Sequence, residues 1–270
     1  IIGDITKEDT LDRIGDAKFY AIIHLVSLDQ KNSNGDIDYV TSVNVQPTWK
    51  LLDKYTKLGL EKFIYLSTIH VYGDIPPKII NENQKLAPNT IYGLTHLLSE
   101  NICNYFNVNS NTHCIIARLS NSFGSPLISE NNCWWLVIND LCKTIYEQKK
   151  IKLKSDGSPQ RDFIHGDDVV RGINFLVEKA KNSKENIYHI ASGKTLTILE
   201  LASIVKQIYF DRYNKNVNIF LPNHSTPTNS DQTRKIEKYK ISINRLNNIG
   251  YTPKTSIKDG INELFNYLEN

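Results

Sequence analysis

Three short apolar runs limit what this chain can fold into: Phe19–Val26 (FYAIIHLV), Lys62–Leu66 (KFIYL) and Cys114–Leu119 (CIIARL). Each is rich in β-branched residues, lacks polar alternation and is too short for a helix, which is the pattern of a strand covered on both faces. Between them the apolar residues recur at helical spacing. Asp38–Lys57 carries Val43, Leu51, Leu52 and Tyr55, and Ile91–Phe106 carries Leu94, Leu97, Leu98, Ile102 and Phe106. Strands alternating with helices of this length predict right-handed crossovers and a parallel sheet. The expected class is α/β, a doubly wound parallel sheet. Pro47 should kink the first helix or mark its true start.

Past Gly124 the pattern changes. Trp134–Tyr146 reads as a helix, Ile151–Leu153 as a short strand and Gly157-Ser158-Pro159 as a turn. Asp167–Lys179 is an amphipathic helix with acidic residues at its N-terminus, where the dipole favours them. Ile187–Ile190 is another buried strand, and Ile198–Ile208 a helix capped by Thr197. Pro222–Thr233 is polar and turn-rich, and Ser256–Leu268 closes the chain as an amphipathic helix. With 270 residues there is enough chain for one large α/β domain with a smaller lobe.

Charge and cysteine usage narrow the function classes. A net charge of +3 with scattered Lys and Arg gives no phosphate-tracking stripe, so no nucleic-acid partner is expected. Cys103, Cys114, Cys133 and Cys142 form no C-x-x-C pair, so no metal is expected and a reducing, cytoplasmic setting is the simplest account. No apolar run approaches the ~20 residues of a membrane span, and no membrane partner is expected.

Taken in order, several motifs resemble the extended short-chain dehydrogenase/reductase family, in its nucleotide-sugar epimerase and dehydratase branch. They are Gly3-Asp4-Ile5, His24-Leu25-Val26-Ser27, Asn44-Val45, Leu66-Ser67-Thr68, Tyr92-Gly93-Leu94-Thr95-His96, Arg118–Gly124, Arg161–Val169, Tyr188–Gly193 and Gly250-Tyr251-Thr252-Pro253. Each is weak alone; their order and spacing carry the resemblance over nearly the whole chain. The family opens with a strand and a glycine-rich G-x-x-G-x-x-G turn that holds the cofactor pyrophosphate. No such turn occurs here, and the chain contains no Met. The expectation is a Rossmann-like fold that is N-terminally incomplete, from a longer parent. Residues 1–124, joined by 160–192, would bind cofactor, and 125–159 with 193–270 would form the substrate lobe.

The resemblance implies a site. Tyr92 is the acid/base, Thr68 hydrogen-bonds the sugar oxygen, and His96 stands where the family's Tyr-x-x-x-Lys has its Lys. NAD or NADP would be bound by Asp4 and Ile5 at the adenosine end and by Leu25, Val26 and Ser27 toward the nicotinamide. Asn44, Ser67, Tyr92 and His96 complete that set. Asn121 and Arg161 would meet the nucleotide diphosphate, with guanidinium against phosphate, and His70 would face the sugar. A homodimer would form on the helices near Asp38–Lys57 and Ile91–Phe106. The implied activity is epimerisation or ketoreduction of a nucleotide sugar.

Departures from the pattern leave alternatives open. Imidazole titrates near ~6.5 and is shorter than Lys, which predicts a bell-shaped or acid-favoured profile, or a decayed site that only binds nucleotide sugar. Ile69-His70 replaces the Asp-Glu pair of the sugar dehydratases, which argues against 4,6-dehydration. Thr228 falls where the family has an Arg gripping the nucleotide. Trp134 or Trp135 could stack on a base or sugar, with core packing the competing reading.

Overall fold

In the computed structural model the described residues are 2–76, 78–128, 130–180, 185–222 and 237–270. The sequence-predicted loop over 222–233, including Thr228, lies outside them except for Pro222. The apolar runs become strands β1 (Ala21–His24), β2 (Lys62–Thr68), β4 (His113–Leu119) and β8 (Ile187–Ile190). They form one parallel sheet in the order β1-β2-β4-β8. Each connection is a helical crossover, so successive strands run the same way.

Both faces of that sheet are covered. On one side lie α1 (Glu8–Ile14), α2 (Ile37–Asn44), α3 (Gln46–Lys57) and α4 (Ile91–Asn109). Leu52, Tyr55, Phe63, Tyr65, Cys103 and Phe106 make the core there. The long helix read from sequence over Asp38–Lys57 breaks at Val45, with Pro47 in the first turn of α3. Proline is tolerated at that position because its missing N–H would have no helical partner. On the other face α6 (Gly166–Lys179) lays Val169, Ile173 and Leu176 on Ile64, Ile115 and Ile190. His165 caps α6, its Nδ1 accepting from Asp167 N at 3.3 Å, and its Nε2 faces Glu263 Oε2 at 3.2 Å.

A second core fills the later part of the chain. β5 (Asn121–Phe123), β7 (Gln160–His165) and β9 (Thr195–Thr197) form a small sheet, parallel then antiparallel. Phe123 and Phe163 pack with the buried sides of α5 (Val137–Gln148), α7 (Ile198–Tyr213) and α9 (Ile257–Glu269). α7 starts on a capping box, Thr197 and Glu200 each satisfying the other's backbone amide. Two two-residue pairings complete the fold, β3 (Ile79–Ile80) with β11 (Lys240–Ile241), and β6 (Ile151–Lys152) with β10 (Ile219–Phe220). α8 (Asn244–Asn248) follows β11. Trp134 lies before α5 rather than in it and packs against this core, while Trp135 is exposed.

Among the described residues, no helix is long and apolar enough to cross a membrane.

Candidate active site

The carboxyl end of a parallel sheet is where open α/β folds place their ligands, and here β2 ends at Thr68. A tight 3-10 turn, Ile69–Tyr72, follows, and His70 N donates to Thr68 Oγ1 at 3.2 Å. α4 begins beside that turn. Thr90 caps it by accepting from Gly93 N at 3.1 Å. Gly93 permits the approach: a Cβ there would stand 2.6 Å from the His70 carbonyl oxygen. Tyr92 and Thr68 are brought together as a result, close enough for the Thr68 hydroxyl to favour the phenolate.

Tyr92 and His96 share one face of α4, their ring centroids 4.6 Å apart. With Leu25, Ser27, Leu28, Asp29, Ser67 and Thr68 they line a cleft of about 220 Å³. Burial raises the Tyr92 pKa above its usual value, while the neighbouring Thr68 hydroxyl acts in the lowering direction.

His96 is fully enclosed, and its protonation can be worked out from its partners. Ser27 Oγ donates to Leu28 O at 2.8 Å and therefore accepts from His96 Nε2 at 3.1 Å. Nδ1 is then the acceptor, and Tyr65 Oη donates to it at 2.9 Å. The chain runs from Tyr65 through His96 to Ser27 with each group satisfied and no charge needed. Burial, with His70 and His24 nearby, pushes the His96 pKa down to about 3. His96 is thus a neutral spacer at physiological pH, which removes the physical basis for an acid-favoured profile.

The other sequence-predicted residues divide clearly. Asn44 is buried and holds the loop after β1, Oδ1 accepting from Leu28 N at 2.8 Å while Nδ2 donates to Thr95 Oγ1 at 3.0 Å. Ser67 lines the cleft but gives its hydroxyl to Glu100 Oε1 at 2.5 Å. That carboxylate is held by Arg118 in a buried pair, 2.7 Å at its shortest. Leu25 and Val26 are exposed at the mouth of β1. Asp4 and Ile5 do not line this cleft; Asp4 caps its own turn through Thr6, and Ile5 packs beneath α1.

A larger cleft, about 540 Å³, lies on the far side of His70. His70, Asn121 and Arg161 line it together with Asn89, Gln160 and Tyr239. Its ring centroid lies 5.7 Å from that of Tyr92, so His70 stands between the two clefts. Burial and the Arg161 charge lower the His70 pKa. Arg161 donates to Gln160 O at 2.7 Å and has no ion pair among the described residues. Asn121 Nδ2 donates to Asp162 O at 3.0 Å, which joins β5 to β7.

Sequence reasoning missed Tyr65, Leu28 and Asp29. Strand alternation held the signal for Tyr65: it points to the same face of β2 as Ser67, toward α4, where His96 and Glu100 recur at one-turn spacing.

Comparisons with known proteins agree with this architecture. The chain is 25% identical over 225 residues to the uncharacterised UDP-glucose epimerase YtcB of Bacillus subtilis, covering 83% of this chain and 66% of that one. It is 25% identical over 272 residues to a putative UDP-glucose 4-epimerase of Methanocaldococcus jannaschii, covering 99% of this chain and 83% of that one. The crystal structure of UDP-glucose 4-epimerase with UDP-glucose from Thermotoga maritima superimposes with a TM-score of 0.82 at 21% identity, over 99% of this chain and 83% of that one. A model of the NAD dependent epimerase/dehydratase family matches residues 1–191, the whole parallel sheet included, and the chain belongs to that family.

Proposed function

We propose that this chain carries the reaction centre of an NAD- or NADP-linked epimerase or ketoreductase acting on a nucleotide-activated sugar. The observation that carries the reading is the meeting of Tyr92 and Thr68 at the end of β2, in a cleft for cofactor that His70 separates from a cleft for substrate. The exposed, apolar Leu25, which lines the same cleft as Tyr92 and Thr68, suits a flat aromatic ring, so the residues present fit the nicotinamide end of the cofactor. Bound there, it supplies the hydride acceptor or donor.

The chain's own residues handle the proton. Thr68 Oγ1 accepts from His70 N, which leaves the hydroxyl proton to be donated to Tyr92 or to a sugar oxygen in the same place. Tyr92 takes the proton from a sugar hydroxyl during oxidation and returns it during reduction. His96, neutral between Tyr65 and Ser27, fixes the loop after β1 against α4. Arg161 and Asn121 hold the diphosphate in the cleft beyond His70, whose 540 Å³ suits a nucleotide sugar.

A homodimer fits the outer faces of α3 and α4. Trp49, Leu94, Leu98 and Tyr105 are exposed there, with Trp49 stacked on Tyr105 at 5.5 Å, and an apolar face of this kind marks an interaction surface.

The charge state of His96 favours one second reading, a nucleotide-sugar-binding relative with no turnover. The two are separated by offering UDP-glucose, UDP-glucuronic acid and dTDP-glucose with NAD or NADP and following the sugar by NMR and the cofactor at 340 nm. The enzyme reading expects turnover of at least one sugar, lost in Tyr92→Phe with binding retained. Binding of a nucleotide sugar without turnover, and unchanged by Tyr92→Phe, selects the second reading and overturns the first.

A further inference from the structure

The chain holds a cleft of about 670 Å³ that shares no lining residue with either cleft described above. Its walls are the 192–194 turn, β11, the start of α8 and residues 252–258 leading into α9. Phe163 and Ile257 give it an apolar floor. Lys194, Lys240, Lys254 and Lys258 surround that floor, and no Asp or Glu lines it. All four lysines are exposed, and none has an ion pair among the described residues. Elsewhere Lys54, Lys57, Lys143, Lys154 and Lys238 each stand against a carboxylate.

Three acids behind the lining hold its main chain in place and make no ion pair with these lysines. Asp162 Oδ2 accepts from Lys194 N at 2.9 Å, and Asp168 accepts from Lys254 N and Thr255 N, each at 2.8 Å. Asp259 Oδ2 takes the Ser256 hydroxyl at 2.6 Å at the start of α9. With these carboxylates engaged by main chain and cap, the four lysines that line the cleft have no carboxylate partner among the described residues. An anion seated in this cleft is attracted by the net positive charge of its lining. Ammonium groups bind phosphate as point charges, and the N-terminal end of α9 adds its dipole in the same sense.

We propose that this cleft binds a diphosphate-bearing small molecule of nucleotide size, its diphosphate among the four lysines and its organic part on the apolar floor. The volume lies within the range of small-molecule pockets. The inference is independent of the reaction proposed above, since it uses none of that site's residues.

Lysine acetylation of the full chain, read residue by residue by mass spectrometry, tests it with UDP or inorganic pyrophosphate as probe. At about ten times the dissociation constant, occupancy should slow acetylation of Lys254 and Lys258 about tenfold and leave Lys150 unchanged. UDP should protect at lower concentration than pyrophosphate, because only UDP has a part to seat on the floor. The Lys254→Glu/Lys258→Glu variant, whose thermal midpoint should match the parent because both side chains are exposed, should lose protection at Lys194 and Lys240. Equal acetylation with and without either probe, or protection by UDP no stronger than by pyrophosphate, overturns the proposal. Because each lysine is read separately, nucleotide held at the Arg161 cleft does not register as binding here.

Discussion

Tyr92 must exchange a proton near neutrality although its burial favours the protonated phenol, and the imidazole one turn away brings no positive charge to help. The base form is therefore scarce at pH 7 and grows as pH rises toward the raised phenol pKa. For the oxidative direction, kcat/KM should rise about tenfold per pH unit between pH 7 and 9, with no acid limb from His96. His96→Lys would place an ammonium near the phenol and move that rise about one to two units to lower pH. A profile flat across pH 7–9 in both proteins would show that the Tyr92 proton does not govern the rate. The sequence could show that residue 96 departs from Lys but not what the departure does. That depends on Tyr65 and Ser27, which are 31 and 69 residues away in the chain and meet His96 only in the fold.

At the level of elements, the site is set by how closely α4 approaches the end of β2. Gly93→Ala tests this, because its Cβ would meet both the His70 carbonyl and Pro88. The helix would have to shift away, at a cost of about 1–3 kcal/mol, and Tyr92 would move with it. Urea unfolding should show that loss, and turnover should fall further than stability alone explains; parent-like values in both would mean the approach has slack. The pair between α4 and β4 is a separate support. Glu100→Ala leaves Arg118 charged and enclosed, which should cost about 3–5 kcal/mol in the same assay; a loss below about 1 kcal/mol would show water reaching the guanidinium. The strands and helices of the main sheet were readable because continuous apolar runs and helical spacing persist over many residues. The pairings of β3 with β11 and β6 with β10 were not, since two residues hold no periodicity. The sequence pattern puts the start of α5 three residues early, because Trp134 and Trp135 look like helix-face residues although only Trp134 packs inward.

Across the described residues, three histidines are buried with their pKa values pushed well down: His24 and His189 to about 4 and His96 to about 3, in each case chiefly by burial. Unfolding returns each to about 6.5, so the unfolded chain takes up protons that the folded chain refuses. Their stabilising effect is complete above pH 6.5 and is lost as pH falls toward the folded values. Between pH 6.5 and 5 each should cost about 1–2 kcal/mol. Glu82 and Asp162 act in the opposite sense, since burial raises their pKa values and the folded chain gains protons there. Three imidazoles outweigh two partly offset carboxyls, so the urea midpoint should drop between pH 7.5 and pH 5 with an unchanged m-value. His24 isolates the effect because its Nε2 has no hydrogen-bond partner and its ring lies against Phe63 and Tyr65. His24→Leu removes a titrating group from an apolar place without leaving a polar atom stranded, so it should be tolerated at pH 7.5 and should lower the slope of stability against pH by about 1.4 kcal/mol per unit. An unaltered slope in that variant would mean that His24 is already protonated, or open to water, in the folded chain.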